Sequence, residues 1–191
     1  MTKAKPIKIL PSVERLQECF IYAPDTGELR WRIRPREHFI TQGAWATWNS
    51  KNAGKRAGMI HEDKRHHRIS RHVRIDGIRY WEHRVIFKMM TGIEPGNNLD
   101  HADGNASNNV WSNIRTANHF EQGWNRKLRY DNKFGYRGIF PIRNRWQAKI
   151  FIYGKNKHLG MFDTPEEAGA AYEAEARRLH GEFYWGLHHE N

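Results

Sequence analysis

The most specific pattern in this sequence is a short polar run that reads Leu99-Asp100-His101-Ala102-Asp103-Gly104-Asn105. It places one imidazole beside a carboxylate, and amide side chains continue through Asn113 to Gln122. Carboxylate and amide oxygens suit a hard divalent cation, while a neutral imidazole can take a proton from water. The run therefore predicts a candidate active site on a strand, a loop, a second strand and a helix that begins near Ala117.

A purely structural explanation competes with this prediction. Asp, Asn and Gly all suit tight turns, and a histidine near the end of a strand often only packs and forms a hydrogen bond. Two features favour chemistry instead. The carboxylate and the imidazole are direct neighbours, and His83-Arg84 precede the run while further amides follow it at Asn109 and Asn118.

The charge balance indicates the kind of partner. The 191 residues include 32 Lys and Arg against 21 Asp and Glu, which gives a formal net charge of +11. Such an excess favours a polyanion. The single cysteine, Cys19, excludes a disulfide framework and a multi-cysteine zinc site. Because no apolar run approaches the roughly 20 residues of a membrane span, and no signal peptide is evident, we expect a cytoplasmic protein without a membrane partner.

Capping and turn signals predict the elements of the N-terminal part. Asp76-Gly77 is a strong signal for a two-residue hairpin turn, and Gly92 is a typical helix stop. The predicted elements are a helix at 13–20 capped by Ser12, a hairpin at 20–31, a loop-rich segment at 35–58, a hairpin at 71–80 and a helix at 81–90. The basic stretch from Lys64 to Arg74 fits a solvated surface or a phosphate-binding surface equally well.

The C-terminal part predicts a second small unit after a polar linker at 126–134. Between 143 and 152 one parity is cationic or polar and the other is apolar, as in a half-buried strand. Thr164-Pro165-Glu166-Glu167 is typical of a helix start, and Gly181 would end that helix after His180. We therefore expect three strands and one helix, and an α+β fold class for the chain.

Residues 80–125 resemble the HNH endonucleases of phage and intron origin. The resemblance rests on Asp100-His101, Gly104, Asn108-Asn109 and Asn113-Ile114-Arg115, with His83-Arg84 upstream. An earlier segment from Tyr22 to Trp31 also matches. The resemblance implies a ββα-metal nuclease core over about residues 80–125, with an N-terminal β-rich extension, in a nuclease region at 1–125.

The same resemblance implies roles for individual residues. His101 would be the general base, Asn113 would orient it, and His83 would be a further catalytic residue. Asp100 would be a metal ligand. The second ligand, usually an asparagine of the helix, corresponds to Gln122, whose amide lies one methylene further out. Its neighbours Asn118, His119 and Asn125 are the alternatives for this ligand. The metal would be Mg²⁺, with Mn²⁺ possible, and no small-molecule cofactor is expected.

Residues 135 to about 184 resemble the ethylene-response-factor (APETALA-type) DNA-binding domain. The resemblance rests on Gly135-Tyr136-Arg137-Gly138, Arg145-Trp146, His158-Leu159-Gly160 and Ala170-Ala171-Tyr172. It implies a domain at 135–191 in which a three-stranded antiparallel sheet, packed on one helix, enters the major groove. The side chains expected to contact DNA are Arg137, Arg143, Arg145 and Lys149.

Together these patterns predict a metal-dependent, site-specific endonuclease of the homing type that acts on double-stranded DNA. A monomer or weak dimer with one site per chain should nick one strand at a time. The alternative is a DNA-binding regulator that no longer cleaves, and Gln122 is the residue that motivates it. A nuclease that acts on RNA or on particular structures is a third possibility.

Overall fold

A computed structural model describes residues 8–63, 68–96, 99–126, 128 and 131–184. The chain forms two compact units: Met1–His101 with Asn105–Thr116, and Ala102–Gly104 with Ala117–Asn191. Both mix helices with small antiparallel sheets, which confirms the α+β class. No helix in the described parts of the chain is long and apolar enough to cross a membrane.

The first unit contains three small sheets, β1–β2, β3–β4–β5 and β6–β7. Its elements are α1 (Val13–Cys19), β1 (Phe20–Ala23), β2 (Glu28–Trp31), α2 (Gln42–Asn52), β3 (Met59–Asp63), β4 (Arg68–Ile75), β5 (Ile78–Trp81), α3 (Glu82–Thr91), β6 (Leu99–His101) and β7 (Ile114–Thr116). The largest fully buried side chains of its core include Phe20, Leu16, Leu29 and Ile86. This core fixes the start of α3, where two residues of the candidate site lie.

Local signals place these elements as expected. The Ser12 side chain accepts a hydrogen bond from the Arg15 backbone N–H at 3.2 Å and so caps α1. Asp76 and Gly77 both have positive φ, +48° and +80°, as a two-residue hairpin turn between β4 and β5 requires. Gly92 ends α3 in the left-handed conformation. The predicted hairpins and the predicted helix after β5 are therefore confirmed.

The prediction of a loop-rich segment at 35–58 was wrong, because this segment contains α2. The helix has no apolar stripe, so hydrophobic periodicity could not reveal it. Tertiary contacts hold it instead. Trp48 meets Trp31 edge-on with ring centroids 4.8 Å apart, and the Asn49 side chain exchanges hydrogen bonds of 2.9 and 3.0 Å with the Arg34 backbone.

The second unit contains α4 (His119–Trp124) and one three-stranded sheet, β8 (Ile139–Ile142), β9 (Arg145–Ile152) and β10 (Lys155–Phe162), followed by α5 (Pro165–His180). The antiparallel strand order is β10–β9–β8. Ala148 and Ile150 of β9 are buried in clusters with Ala168 and Ala176 of α5, which confirms the predicted sheet packed on one helix. The Thr164 side chain accepts from the Glu167 backbone N–H at 3.2 Å, as the cap signal predicted.

Two expectations about organisation stay predictions. The strand, loop, strand and helix after residue 98 occur in chain order as β6, β7 and α4, but α4 groups with the second unit. The packing of a ββα-metal core is therefore still a prediction, as is a domain boundary at 126–134. Part of that linker, residues 127 and 129–130, lies outside the described residues, as do residues 64–67 of the basic stretch.

Candidate functional site

The structure brings the two predicted catalytic histidines together in the first unit. His101 is the last residue of β6 and is buried, with 5% of its surface exposed. His83 is the second residue of α3. Their ring centroids are 5.0 Å apart and the rings are nearly perpendicular, at 78°. A strand end and a helix start thus place two imidazoles side by side, although they are 18 positions apart in the sequence.

A buried chain of polar contacts leads away from His101. Its Nε2 lies 3.0 Å from Oδ1 of Asn109, and the Asn109 amide nitrogen donates to Oε1 of Glu82 at 3.2 Å. Arg71 of β4 donates from Nε to the other Glu82 oxygen at 3.3 Å. Glu82 has no exposed surface and Asn109 only 2%. Sequence reasoning noted Asn109 only as part of a motif and missed Glu82 entirely.

Glu82 is a buried carboxylate held at the first turn of α3. Burial raises its pKa, while Arg71, the Asn109 hydrogen bond and Arg56 act in the opposite direction. The chain makes room for it at Gly58, where an added Cβ would meet Oε2 of Glu82 and where φ is +83°. A sequence signal did exist, because an acidic residue directly before His83 at a helix start is favourable to the helix dipole. That signal alone does not distinguish a helix cap from a site residue.

His83 is uncharged at neutral pH. Burial, together with the positive charges of His101, Arg84 and Arg68, lowers its pKa to about 3. A neutral imidazole offers one donor and one acceptor without a net charge. His83 can therefore form hydrogen bonds to water or to a phosphate, but it cannot act as a fixed cation.

The predicted metal ligand Asp100 lies next to His101 and is half-buried. Its Oδ2 accepts from Arg115 Nη2 at 3.1 Å and Nε at 3.3 Å, across the β6–β7 pair. Gln122 lies in α4 of the second unit, and its Nε2 donates to the Ala117 carbonyl at 3.4 Å. Within the described ranges, no three His, Cys, Asp or Glu side chains cluster as metal ligands. The predicted ligands Asp100 and Gln122 offer a carboxylate oxygen and an amide oxygen, and such oxygen ligands suit Mg²⁺ or Mn²⁺.

Asn113 was predicted to orient His101. It is buried in a short turn at Trp111–Asn113, and its Nδ2 donates to the Asn108 carbonyl at 2.8 Å. The side-chain amide bonded to Nε2 of His101 belongs to Asn109. The orienting role of Asn113 is therefore still a prediction, and Asn109 is the residue that sequence reasoning did not assign.

In the second unit, the open face of the sheet carries two of the four side chains expected to contact DNA. Arg145 and Lys149 share the parity of Gln147 on β9, opposite the apolar parity of Ala148 and Ile150. Lys149 Nζ lies 4.3 Å from the centroid of the Phe140 ring, and Gln147 Nε2 is 3.3 Å from His158 Nδ1. Arg145 pairs with the exposed Asp163 at 2.9 Å. The face thus combines cations, an amide and an aromatic ring.

The other two predicted DNA contacts differ from this pair. Arg143 occupies the turn between β8 and β9 with a φ of +56° and is exposed. Arg137 was also expected to contact DNA, and it is half-buried. Its Nη1 donates to the Trp124 carbonyl at 3.3 Å, and burial lowers its pKa. Arg137 precedes β8 and lies outside the alternation of that strand, and its contact with DNA stays a prediction.

A second cationic face lies in the first unit. Arg74 and Arg79 pair directly across β4 and β5, and His72 pairs with Trp81 on the same side. Both arginines are exposed, while Val73 and Ile75 on the opposite side are buried in the core. The β4–β5 hairpin therefore has one apolar face and one basic, aromatic face.

Comparisons with known proteins add independent information. A family model described as HNH endonuclease matches residues 80–123, the segment that contains both histidines and Asp100. The chain is also similar to Protein 3.8 of Escherichia phage T7, with 32% identity over 93 residues, which are 48% of this chain and 76% of that protein. No solved structure matches the chain.

Proposed function

Because the chain belongs to the HNH endonuclease family, as residues 80–123 indicate, we propose that it hydrolyses phosphodiester bonds of DNA with the help of a divalent metal. The observation that carries this proposal is the buried His101, adjacent to Asp100 and held by Asn109. His101 takes a proton from a water molecule, the water oxygen attacks phosphorus, and the bond from phosphorus to the leaving oxygen breaks.

Asp100 is the residue of the first unit that would hold the metal ion, and Gln122 stays the second ligand that the HNH resemblance predicts. Mg²⁺ or Mn²⁺, when bound, would stabilise negative charge on the phosphate and on the leaving oxygen. Asp100 shares its carboxylate with Arg115, which keeps that side chain in place on β6. His83 would hydrogen-bond to the scissile phosphate, and its neutral state supports this role because it does not compete with His101 for a proton.

The DNA affinity would come from the two basic sheet faces. We propose that the C-terminal sheet, with Arg143, Arg145 and Lys149, is an APETALA-type DNA-binding domain at 135–191. Its support is the three-stranded sheet on one helix and the cations on its open face. Arg74 and Arg79 of the β4–β5 hairpin would contact the phosphate backbone, and their exposed positions side by side on one face of the hairpin support this role. Arg137 would support the domain from within.

The enzyme would be site-specific and of the homing type. With one candidate site per chain, a monomer would nick one strand, and a double-strand cut would need a dimer or two separate events. The nuclease region at 1–125, the linker at 126–134 and the domain at 135–191 would then divide cleavage from recognition.

The test is nicking of a supercoiled plasmid with Mg²⁺. We expect relaxed product from the wild type, and His101→Ala should reduce the rate by about 10²–10⁴-fold, the usual contribution of a general base. DNA affinity should not change. A matched control is Glu37→Gln, because Glu37 is exposed in the same unit. An unchanged nicking rate in His101→Ala would exclude His101 as the base.

A DNA-binding regulator that does not cleave is the second candidate function, and Gln122 favours it. The longer glutamine side chain donates to the Ala117 carbonyl from its amide nitrogen. Binding without nicking in Mg²⁺, Mn²⁺ and Ni²⁺ would support the regulator. If Gln122→Asn then restored nicking, the metal site would be intact except for that one residue.

A further inference from the structure

We propose that Glu82 is a positioning residue that sets the tautomer of His101 through the side chain of Asn109. In this arrangement the ring hydrogen of neutral His101 is on Nε2, and the lone pair that accepts a proton is on Nδ1. The tautomer is inferred from the contacts in the first unit alone. The catalytic role of this tautomer rests on the proposed nuclease function.

The first step concerns the orientation of the Asn109 amide. An ionised carboxylate only accepts hydrogen bonds, so the group that faces it must be a donor. Oε1 of Glu82 lies 3.2 Å from the Asn109 amide nitrogen, and the reverse orientation would place two acceptors against each other. Because both side chains are buried, water cannot relieve such a contact. The carboxylate therefore turns the amide oxygen toward His101.

The second step concerns the ring of His101. Its Nε2 lies 3.0 Å from Oδ1 of Asn109, and this oxygen carries only lone pairs. The hydrogen bond can form only if Nε2 is the protonated nitrogen. The neutral ring then has its acceptor lone pair on Nδ1. A carboxylate on α3 thus decides which nitrogen of a strand histidine can act as a base.

Two neighbours keep this chain of contacts in one arrangement. Arg71 donates to Oε2 of Glu82 and so stabilises the ionised carboxylate that the argument requires. On the other side, the Tyr22 hydroxyl donates to the backbone carbonyl of Asn109 at 2.7 Å. Asn109 is therefore fixed through both its backbone and its side chain. Such fully paired buried networks specify a single geometry.

The isosteric variant Glu82→Gln makes the proposal testable, because it should reverse the direction of the hydrogen bonds that link residue 82, Asn109 and His101. The glutamine side chain has only one acceptor oxygen, and the Arg71 guanidinium, which can only donate, would hydrogen-bond to it. The new NH₂ group would then face Asn109, whose oxygen would turn toward it. The amide nitrogen of Asn109 would point at His101 and donate to Nε2, which would move the ring hydrogen to Nδ1.

The experiment is nitrogen-15 NMR of histidine-labelled full-length protein at a pH where the His101 ring is neutral. Comparison with His101→Ala assigns the signals. In the wild type we expect the hydrogen on Nε2, in Glu82→Gln mainly on Nδ1, and in the control Glu37→Gln again on Nε2. A wild-type ring protonated at Nδ1 would overturn the proposal without any variant. An unchanged tautomer in a folded Glu82→Gln protein would overturn it as well.

Kinetics then connect the tautomer to catalysis. Glu82→Gln should lower kcat by about 10²–10⁴-fold, as for loss of a general base, with KM unchanged. A residue that is only structural would lower the midpoint of thermal unfolding without changing the tautomer. Because the NMR measurement needs no cleavage, the two proposals can fail separately. A tautomer that switches in a protein that never nicks DNA would refute the nuclease function and leave the positioning role intact.

Discussion

The two units place their functional polar side chains in opposite ways. In the first unit Glu82, Asn109 and His101 are buried, and each is paired with the next. In the second unit Arg145 and Lys149 lie on the open face of a sheet. Burial fixes one hydrogen-bonding geometry, which suits a chemical step, while exposed cations can adjust to a flexible polyanion. The difference implies that cleavage and DNA affinity can be altered separately.

His83 and His180 show that a pKa lowered by burial does not by itself identify a catalytic residue. Burial lowers the pKa of His83 to about 3 and that of His180 to about 4. His180 stacks on Trp124, with ring centroids 4.4 Å apart and planes almost parallel. His83 instead lies beside a second imidazole that contacts a polar network. The neighbour, and not the pKa, distinguishes a site residue from a packing residue.

The largest expected effect comes from breaking the buried network at its centre. Asn109→Leu removes the partner of both Glu82 and His101, so we expect the nicking rate to fall by about 10²–10⁴-fold. Loss of the hydrogen bond from Asn109 to the buried Oε1 of Glu82 should also destabilise the first unit by roughly 1–3 kcal/mol. DNA affinity, attributed to the exposed cationic sheet faces, should stay constant. Plasmid nicking, urea unfolding and a DNA-binding titration measure the three quantities.

The surface variant Gln17→Leu on α1 is the control for this prediction, because Gln17 is an exposed amide side chain in the same unit. It should leave the nicking rate and the urea midpoint close to those of the wild type. If Asn109→Leu lowered DNA affinity as much as it lowered cleavage, the separation between the two units would be wrong.

Sequence patterns predicted the fold where its causes are local. The turn at Asp76-Gly77, the cap at Ser12 and the stop at Gly92 each act within a few residues, and the structure has a turn, a helix start and a helix end at these positions. The sequence did not predict helix α2, because α2 has no apolar stripe of its own. The residues that it contacts, Trp31 and Arg34, lie outside the helix.

The same distinction applies to the candidate site. The pair Asp100-His101 is visible in the sequence because its members are neighbours. The bond from Asn109 to Glu82 joins residues 27 positions apart, and no local pattern specifies it. Sequence reasoning therefore found the proposed base and missed the side chains that orient it.

The next prediction concerns the pH dependence of stability in the first unit. The pKa of His83 is about 3 in the folded protein and near the ordinary 6.5 when unfolded, so between these values the unfolded chain binds more protons. Stability should fall as the pH drops from about 6.5 toward 3, by at most about 1.4 kcal/mol per pH unit from this residue. Urea unfolding at several pH values measures the slope.

His83→Leu removes the titrating ring and should flatten this slope. The charged groups that act on the ring are His101, Arg84 and Arg68, and all three remain in the variant. An equal slope in the wild type and in His83→Leu would mean that other groups cause the acid sensitivity. It would also remove the evidence that His83 is held neutral.

The smallest expected effect, about one order of magnitude, concerns affinity in the second unit. Replacing both Arg145 and Lys149 by alanine should weaken DNA binding and reduce the slope of log K against log salt by about 0.9 for each lost phosphate contact. Nicking at saturating DNA should not change, because the buried network is untouched. The double variant Arg177→Ala/Arg178→Ala removes the same charge from α5 and is the matched control. If that control weakened binding equally, net charge and not the open face of the sheet would account for the DNA affinity. The open face could then no longer be distinguished from the rest of the second unit as the DNA-binding surface.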